Sequence, residues 1–505
     1  MPDCGAAPSS SEPSGRWCRA FARDLQSAVI PGADVVVIGA GSAGCLVAAR
    51  ASDDPARTVL LLESGPAGPL GSDGEIGVLP VGPGAARAVE YPARLMRDRS
   101  PTVVRRGTGV GGSGAINGAY FVRAPDADFA AWPATWTARD VAPWFRRIER
   151  DLDVSSPRHG DAGPIPVSRV PLHDLAPVSA RFLAAAADTG MPYVADMNDG
   201  GRDGVGTVPM NAVNGVRVST SSACLAPVAG RPNLTVRTGV RVDRILFQRN
   251  RVHGVVVRDG EAEYVVAAGE VVLCAGAVES PLALTRSGIG EPETLRGSGF
   301  PVVTDLPGVG SGLSDHPEVL VPYAADGLRP GTALLEVCGE WHGYEMRPYT
   351  AGFDRFIPGS GPGDACVGVS LMASDARGVV RSSGGRAVIE YDYLRSARDR
   401  QRLREGAAHA VEILRRAGLG VPPGPVDDTW VRERLATSQH ASGTCRMGEA
   451  GDPHAVVDPA GKVHGVDGLH VVDGSILPVV PSRGPHATVV MVAARLAESL
   501  FGAGA

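Results

Sequence analysis

The sequence predicts an α/β protein, with a Rossmann-like dinucleotide-binding domain and a second, smaller α+β domain. Three observations carry that prediction. First, Asp34-Val-Val-Val-Ile-Gly-Ala-Gly-Ser-Ala-Gly-Cys-Leu-Val-Ala-Ala-Arg50 reads as a buried strand, a glycine turn and the opening of a helix. Gly39 permits the tight turn, Gly41 lets backbone approach a pyrophosphate, and Gly44 lets the helix pack on the strand with its first N–H groups facing the phosphates. Second, Thr58-Val-Leu-Leu-Leu-Glu63 is another apolar strand ending in a carboxylate, about twenty residues on, where an adenosine ribose needs an acceptor. Third, 66 of the 505 residues are glycine, nearly twice the usual share of about 7%, and the excess lies in loops between apolar strands.

Composition removes several alternatives. The net charge is −6 and no run of basic residues could replace counterions along a phosphate chain, so nucleic acid is not an expected partner. Lys462 is the only lysine, which leaves no Gly-Lys-Ser/Thr phosphate loop and no lysine elsewhere for a Schiff base. The eight cysteines are dispersed without C-x-x-C spacing, so neither a metal site nor a disulfide framework is expected. No stretch reaches the roughly eighteen apolar residues of a membrane span, and no signal peptide is read, so the expected location is the cytoplasm.

In chain order, residues 1–32 read as a loose extension, with Trp17, Phe21 and Leu25 on one face of a short helix. Strand 34–39, helix 42–52 and strand 58–63 form a βαβ unit. Gly and Pro break the chain from residue 64 to about 106, which reads as a long functional loop. A second glycine-rich stretch, 106–123, lets backbone lie against a flat or anionic ligand, although Gly alternating with Ser and Asn also suits a flexible linker. Residues 137–151 and 176–189 are helical by periodicity, the first with Val141, Phe145, Ile148 and Leu152 on one face. Runs at 234–237, 240–247, 252–257 and 271–275 read as a meander returning to a buried strand. A helix over 276–290 follows, with Ser280-Pro281 in its first turn. Residues 317–425 lose the glycine signatures and hold strands near 366–372 and 386–393, then a helix over 398–416. A strand and turn at 468–475 and an apolar helix over 486–501 close the chain. The expected division is an extension at 1–32, a discontinuous dinucleotide domain at 33–165, 215–316 and 430–505, and a substrate domain at 166–214 and 317–429.

Together the motifs resemble the glucose-methanol-choline (GMC) family of FAD-dependent oxidoreductases, over nearly the whole chain after residue 33. Besides the βαβ fingerprint, they are Gly111-Gly112-Ser113 with Asn117, the 276–290 segment, Gly308-Val-Gly-Ser-Gly-Leu-Ser-Asp315-His316, His440-Ala-Ser-Gly-Thr-Cys-Arg-Met-Gly448 and the C-terminal strand–turn–helix. Gly312 stands where the family usually has Asn, and Ala441 where Pro is common. The resemblance implies that the dinucleotide domain is an FAD-binding domain in which Gly39, Gly41, Gly44 and Glu63 hold the ADP half. It further implies that Gly112, Ser113 and Asn117 flank the diphosphate and flavin, that Val242 meets adenine through its backbone, and that Asp473-Gly474 sits by the ribityl chain. The bland reading of the last pair is a turn after a strand, and the order of the motifs favours the cofactor. Ile116 occupies the position at which some relatives attach FAD to a histidine, so the cofactor is expected to be non-covalent.

Of eleven histidines, the resemblance makes two catalytic: His440, and His486 in Pro485-His-Ala-Thr488. Alcohol oxidation needs a base for the hydroxyl proton while hydride leaves the carbon for the flavin, and an imidazole titrating near neutrality suits it. His159, His173, His253, His342, His409, His454, His464 and His470 read as structural. More narrowly, the 111–121 loop, Arg147-Ile-Glu-Arg-Asp-Leu-Asp153, Gly163-Pro-Ile-Pro-Val and Ser314-Asp-His-Pro-Glu318 resemble the mycofactocin-system GMC dehydrogenases of actinobacteria. That implies a small-molecule alcohol or mycofactocinol as donor, a quinone or the respiratory chain as acceptor, and a place in the cytoplasm or at the inner face of the membrane. An O₂-using alcohol oxidase, a hydroxynitrile lyase with structural FAD and a flavin-free binding module are the alternatives.

Overall fold

Val35, Val36, Val37 and Ile38 are all buried, as a central parallel strand covered on both faces requires. The structure is a computed structural model that describes residues 30–68, 73–324, 328–383 and 386–502; the helix expected around Trp17, Phe21 and Leu25 lies outside them. Strand Ile30–Ile38 pairs in parallel with Val59–Leu62 on one side and Ala262–Leu273 on the other, while Leu234–Arg237 continues the sheet beyond Val59–Leu62. The expected meander forms through Arg241–Gln248, Arg251–Asp259 and Ala262–Leu273, antiparallel throughout, but without Leu234–Arg237, which is parallel and lies at the opposite edge of the sheet. Its last strand is longer than the expected 271–275. The first half closes the meander and the second half runs in parallel between Ile30–Ile38 and Leu469–Val471. The parallel strands therefore end together at Gly39, Glu63, Cys274 and Val472, where an open α/β sheet takes its ligand. Helix Ser42–Ala51 starts from this edge and packs on the last helix, His486–Phe501, whose limits are those expected.

The second sheet is antiparallel, in the order Leu435–Thr437, Pro317–Tyr323, Ala365–Leu371, Tyr344–Pro348, Val337–Trp341 and Gly204–Thr207. Strand alternation gives it two unlike faces. Val319, Val321, Val367, Val369 and Met346 join the core formed with helices Pro177–Asp188 and Ala397–Arg416. Glu318, Ser370, Glu345, Arg347 and Glu340 occupy the alternate positions. The outer strand Leu435–Thr437 comes from beyond residue 429.

Three local expectations change. The stretch 64–106 is not one loop, because Ala88–Arg94 and Thr102–Gly107 form an antiparallel hairpin in a five-stranded sheet with Arg386–Glu390, Gly378–Ser383 and Ser311–Leu313. Only Tyr91 and Ala93 are buried in the first of these strands, so it left no apolar alternation to read. The helix expected at 137–151 ends at Ile148, and Leu152 is 48% exposed. Glu149–Asp151 instead pairs with Ile165–Val167, and a side chain at Gly163 would overlap the Glu149 backbone. Finally, helix Gly276–Arg286 starts where expected but ends short of 290, and Pro281 falls in its second turn, not its first. The missing Pro281 N–H would orphan the Ala277 carbonyl, and the Thr444 hydroxyl donates to it at 2.7 Å.

Candidate active site

The glycines of the first turn are needed for different reasons. Gly39 has φ +97°, and a Cβ there would sit 2.7 Å from the Cys274 carbonyl oxygen. A Cβ on Gly44 would overlap the Gly39 carbonyl oxygen, so helix and strand touch backbone to backbone. Gly41 is the opposite case. Its backbone is extended (φ −77°, ψ −165°), it caps helix Ser42–Ala51 without a side chain, and a Cβ on it would meet no protein atom within 4 Å. An uncapped helix N-terminus with free space before it fits the pyrophosphate of a dinucleotide. The second glycine loop closes on this turn. Gly111 N–H donates to the Ala40 carbonyl at 2.7 Å, and Gly112 (φ +50°) lies so close that a Cβ would be 2.8 Å from Gly41 Cα. Ser113 Oγ accepts from Gly107 N–H (3.0 Å) and Asn117 Oδ1 from Ala119 N–H (2.9 Å), so both side chains brace the loop.

Glu63 is buried and already engaged: Oε2 accepts from Ala40 N–H (2.9 Å), and Oε1 from Gly65 N–H (2.8 Å) and Gly109 N–H (3.0 Å). It ties both glycine loops to the strand end, and a ribose hydroxyl would use the remaining lone pairs of the carboxylate. Val242 lies on the strand that ends the sheet, and Val240 N–H donates to the Glu63 carbonyl (3.0 Å), which starts that strand beside Glu63. Asp473 is more than a plain turn. Its Oδ2 accepts from Gly276 N–H (2.8 Å) and Ser280 Oγ (2.6 Å), and Oδ1 from Ser475 N–H (2.7 Å), so one carboxylate caps two helical segments. Gly474 follows it into the short helix Gly474–Ile476.

His440 and His486 arrive from different segments. Gly484, two residues before His486, packs on the Tyr120 ring and lies so near that its Cβ would be 3.5 Å from His440 Cε1. His486 starts the last helix with Nδ1 3.4 Å from Ser42 Oγ, its ring edge-on to Phe121 at 5.6 Å, and Nε2 without a partner. Burial and then the Arg217 charge push it down to about 4. Burial, then His316, Arg347 and Arg106, hold His440 well below the ordinary histidine value. The expected titration near neutrality is therefore corrected: both rings are neutral at pH 7.

Sequence reasoning gave His316 no role, yet it is the closest partner of His440. Their Nδ1 atoms lie 2.9 Å apart and the rings are nearly perpendicular, with centroids 5.1 Å apart. Asp315 frames the pair from behind: Oδ1 accepts the backbone N–H of His316 (2.6 Å) and of His440 (2.9 Å), and Oδ2 accepts from Thr437 Oγ1 (3.0 Å). Burial pushes the Asp315 carboxyl up to about 6. The adjacency Asp315-His316 in the 308–316 motif was the available signal. None announced the polar wall on the second sheet. There Arg347 bridges Glu318 (3.3 Å) and Glu345 (3.2 Å), Tyr120 OH donates to Glu345 (2.6 Å), Tyr349 OH donates to Glu318 (2.9 Å), and Arg483 pairs with Glu340. Burial drives Glu340 well above the usual carboxylate range.

His159 is buried between Glu149 (2.9 Å), Asp151 (3.0 Å) and Asp196 (2.8 Å), with Arg123 and Arg169 on the same acids. Burial alone would lower it, but Asp151, Asp196 and Glu149 prevail and raise it to about 10.

A glycine turn opening onto an uncapped helix, faced by neutral imidazoles, defines a dinucleotide-dependent redox protein. Comparison with known proteins makes the class specific. The family model for GMC oxidoreductase matches residues 33–318 and 374–493. An uncharacterised GMC-type oxidoreductase from the thcA 5′ region of Rhodococcus erythropolis is 44% identical, covering 93% of this chain and 98% of that protein. Oxygen-dependent choline dehydrogenase 1 of Chromohalobacter salexigens is 33% identical over 93% of this chain and 95% of its own length. Among solved structures, pyridoxine 4-oxidase from Mesorbium loti superposes with a TM-score of 0.85 at 30% identity, over 94% of this chain and 100% of that one. The chain belongs to the GMC oxidoreductase family and is an FAD-dependent oxidoreductase acting on alcohol-type donors. No helix among the described residues is long and apolar enough to cross a membrane.

Proposed function

We propose that the chain is a dehydrogenase in which His440 takes the hydroxyl proton of the donor on Nε2, and that mycofactocinol is the donor. When bound, FAD supplies the hydride acceptor. The observation that carries the reading is the neutral His440 ring, whose Nδ1 is engaged by His316. With Nδ1 occupied, Nε2 is the nitrogen left for a substrate proton. His486 Nδ1 lies 3.4 Å from Ser42 Oγ, and its Nε2, which has no protein partner, is the nitrogen that would meet the donor oxygen as its charge builds. Gly39 and Gly44 would hold the turn and helix in place while Gly41 and Gly112 bring backbone to the pyrophosphate, with Glu63, Val242, Asp473 and Gly474 lining the adenosine and ribityl portions.

Strands Val337–Trp341, Tyr344–Pro348 and Ala365–Leu371 all lie between the two family matches, in residues 319–373, so membership of the family does not fix this side of the site. The 111–121, 147–153, 163–167 and 314–318 stretches support mycofactocinol as donor and a quinone or the respiratory chain as acceptor, with the protein in the cytoplasm or on the inner face of the membrane. Anaerobic mixing with mycofactocinol, choline, pyridoxine and simple alcohols, followed by flavin absorbance, tests it. Mycofactocinol is expected to bleach the flavin fastest, and bleaching by choline with none by mycofactocinol overturns the assignment. Reoxidation is expected to be faster with a quinone or dye than with O₂. Peroxide formation that keeps pace with dye reduction makes the enzyme an oxidase.

A further inference from the structure

Gln439, the residue before His440, is held at φ +60°, in the left-handed region that a residue with a side chain enters only at a cost. Contacts within the turn and from two remote segments hold it there. Thr437 Oγ1 accepts the Gln439 N–H (3.2 Å), and Asp315 fixes the turn on either side, through Thr437 Oγ1 (3.0 Å) and the His440 N–H (2.9 Å). Arg106 donates from Nη1 to the Gln439 carbonyl, and the Arg105 backbone N–H donates to Gln439 Oε1 (3.3 Å). Strand Thr102–Gly107 is the outermost of its five-stranded sheet, so the N–H groups on its open side need partners from outside the sheet. The Arg105 N–H finds one in Gln439, and the Gly107 N–H finds one in Ser113 Oγ, on the glycine loop of the cofactor side (3.0 Å). A Cβ on Gly107 would overlap the Gly112 carbonyl, so strand and loop touch backbone to backbone. Two residues of a strand span about 7 Å, so one rigid edge carries both the turn of His440 and the cofactor loop. The two arginines divide: the Arg105 guanidinium pairs with Glu90 (2.7 Å), whereas that of Arg106 holds the Gln439 carbonyl.

We propose that Arg106 is a positioning residue of the reaction: from the edge of strand Thr102–Gly107 it holds the Gln439 carbonyl, and so keeps the left-handed turn that presents His440 to the donor at a fixed distance from the cofactor loop. This rests on His440 being the base. Released at its carbonyl, a residue other than glycine relaxes from φ +60° toward the ordinary α or β regions, and that rotation swings the Cα–Cβ bond of the next residue. A displacement of about 1 Å is enough to slow a positioned reaction about 10²-fold. Arg106 also acts by charge: after burial, His316 and Arg347, it is a further group that disfavours the protonated His440 ring, while Asp315 meets that residue through its backbone. The two roles separate by substitution, because glycine at position 439 removes the need for the clamp and leaves the charge untouched.

The test is anaerobic stopped-flow reduction of the FAD-loaded enzyme, with whichever of mycofactocinol, choline or pyridoxine bleaches the flavin, in Arg106→Met, Gln439→Gly and the double variant. Arg106→Met should lower the limiting rate about 10²-fold, with FAD content unchanged and the half-saturating donor concentration within about threefold of wild type. Gln439→Gly should stay close to wild type, because glycine takes φ +60° freely, and in the double variant most of the lost rate should return. The acid limb should lie at higher pH in both proteins that carry Arg106→Met, since removing a cation beside an imidazole favours its protonated form and glycine does not restore the charge. Amide hydrogen exchange over residues 437–442, which needs no donor, should quicken in Arg106→Met. Where Arg106→Met fails to retain FAD, Gln439→Val reads the same turn with Arg106 in place: a β-branched residue resists φ +60°, and a slower reduction at normal FAD content supports the proposal. Wild-type rate and exchange in Arg106→Met, wild-type rate in Gln439→Val, or a double variant as slow as Arg106→Met overturns it. Normal flavin reduction by His440→Ala instead removes the base reading, whatever Arg106 does.

Discussion

Gly41→Val separates the cofactor's space from the protein's own packing. At φ −77° and ψ −165° the backbone suits a β-branched residue, and a Cβ meets no protein atom within 4 Å. The valine should therefore change apoprotein stability by no more than about 0.5 kcal/mol. Its methyl groups would instead fill the space before the N-terminus of helix Ser42–Ala51, where the pyrophosphate has to accept backbone N–H groups. Losing two such charge-assisted bonds, at about 1.5–3 kcal/mol each, removes about 3–6 kcal/mol of FAD binding, or roughly 10²- to 10⁴-fold in affinity. Gly44→Ala should do the reverse: its Cβ overlaps the Gly39 carbonyl, so the apoprotein itself should unfold at lower temperature. Thermal melting of both apoproteins by circular dichroism, and FAD titration by quenching of flavin fluorescence, read the two effects separately. A Gly41→Val protein that binds FAD within threefold of wild type refutes the assignment of that space to the cofactor, and an unfolded Gly41→Val apoprotein refutes the packing argument.

His440→Ala should slow anaerobic flavin reduction by about 10²- to 10⁴-fold and retain FAD, whereas His486→Asn, which keeps a donor, should be milder. Because the folded His440 value is depressed, the free base is already present at pH 6.5: stopped-flow reduction should be level from there upward and fall only in acid, and a midpoint near pH 7 contradicts the burial argument. His159→Leu leaves Glu149, Asp151 and Asp196 with one cation fewer and should cost about 3 kcal/mol by denaturant unfolding. The folded His159 value, about 10, lies above the unfolded one of about 6.5, so its stabilisation is complete below pH 6.5 and is lost as pH rises toward 10. The gap between wild type and variant should narrow over that window. Acid precipitation should release intact FAD, since Ile116 cannot form a bond to flavin; colour in the pellet contradicts this.

Helices His486–Phe501 and Ala397–Arg416 match their expected limits within a residue, because apolar periodicity is a property of the segment itself. Hairpin Ala88–Arg94 and Thr102–Gly107 was invisible for the opposite reason: most of its residues, apolar ones included, are exposed or half-buried, so burial imposes no alternation, and a partner strand is Arg386–Glu390. The site divides along the same line. Where backbone must pass close to backbone or to a ligand was legible in the chain, since Gly39, Gly41, Gly44 and Gly112 can be read one residue at a time. Tertiary structure alone decided the chemistry of the imidazoles, because the same histidine titrates near neutrality in water and far lower when buried beside guanidinium groups. His440 meets His316, Arg347 and Arg106 from three remote segments, and which of its nitrogens is free depends on a contact that no local spacing encodes.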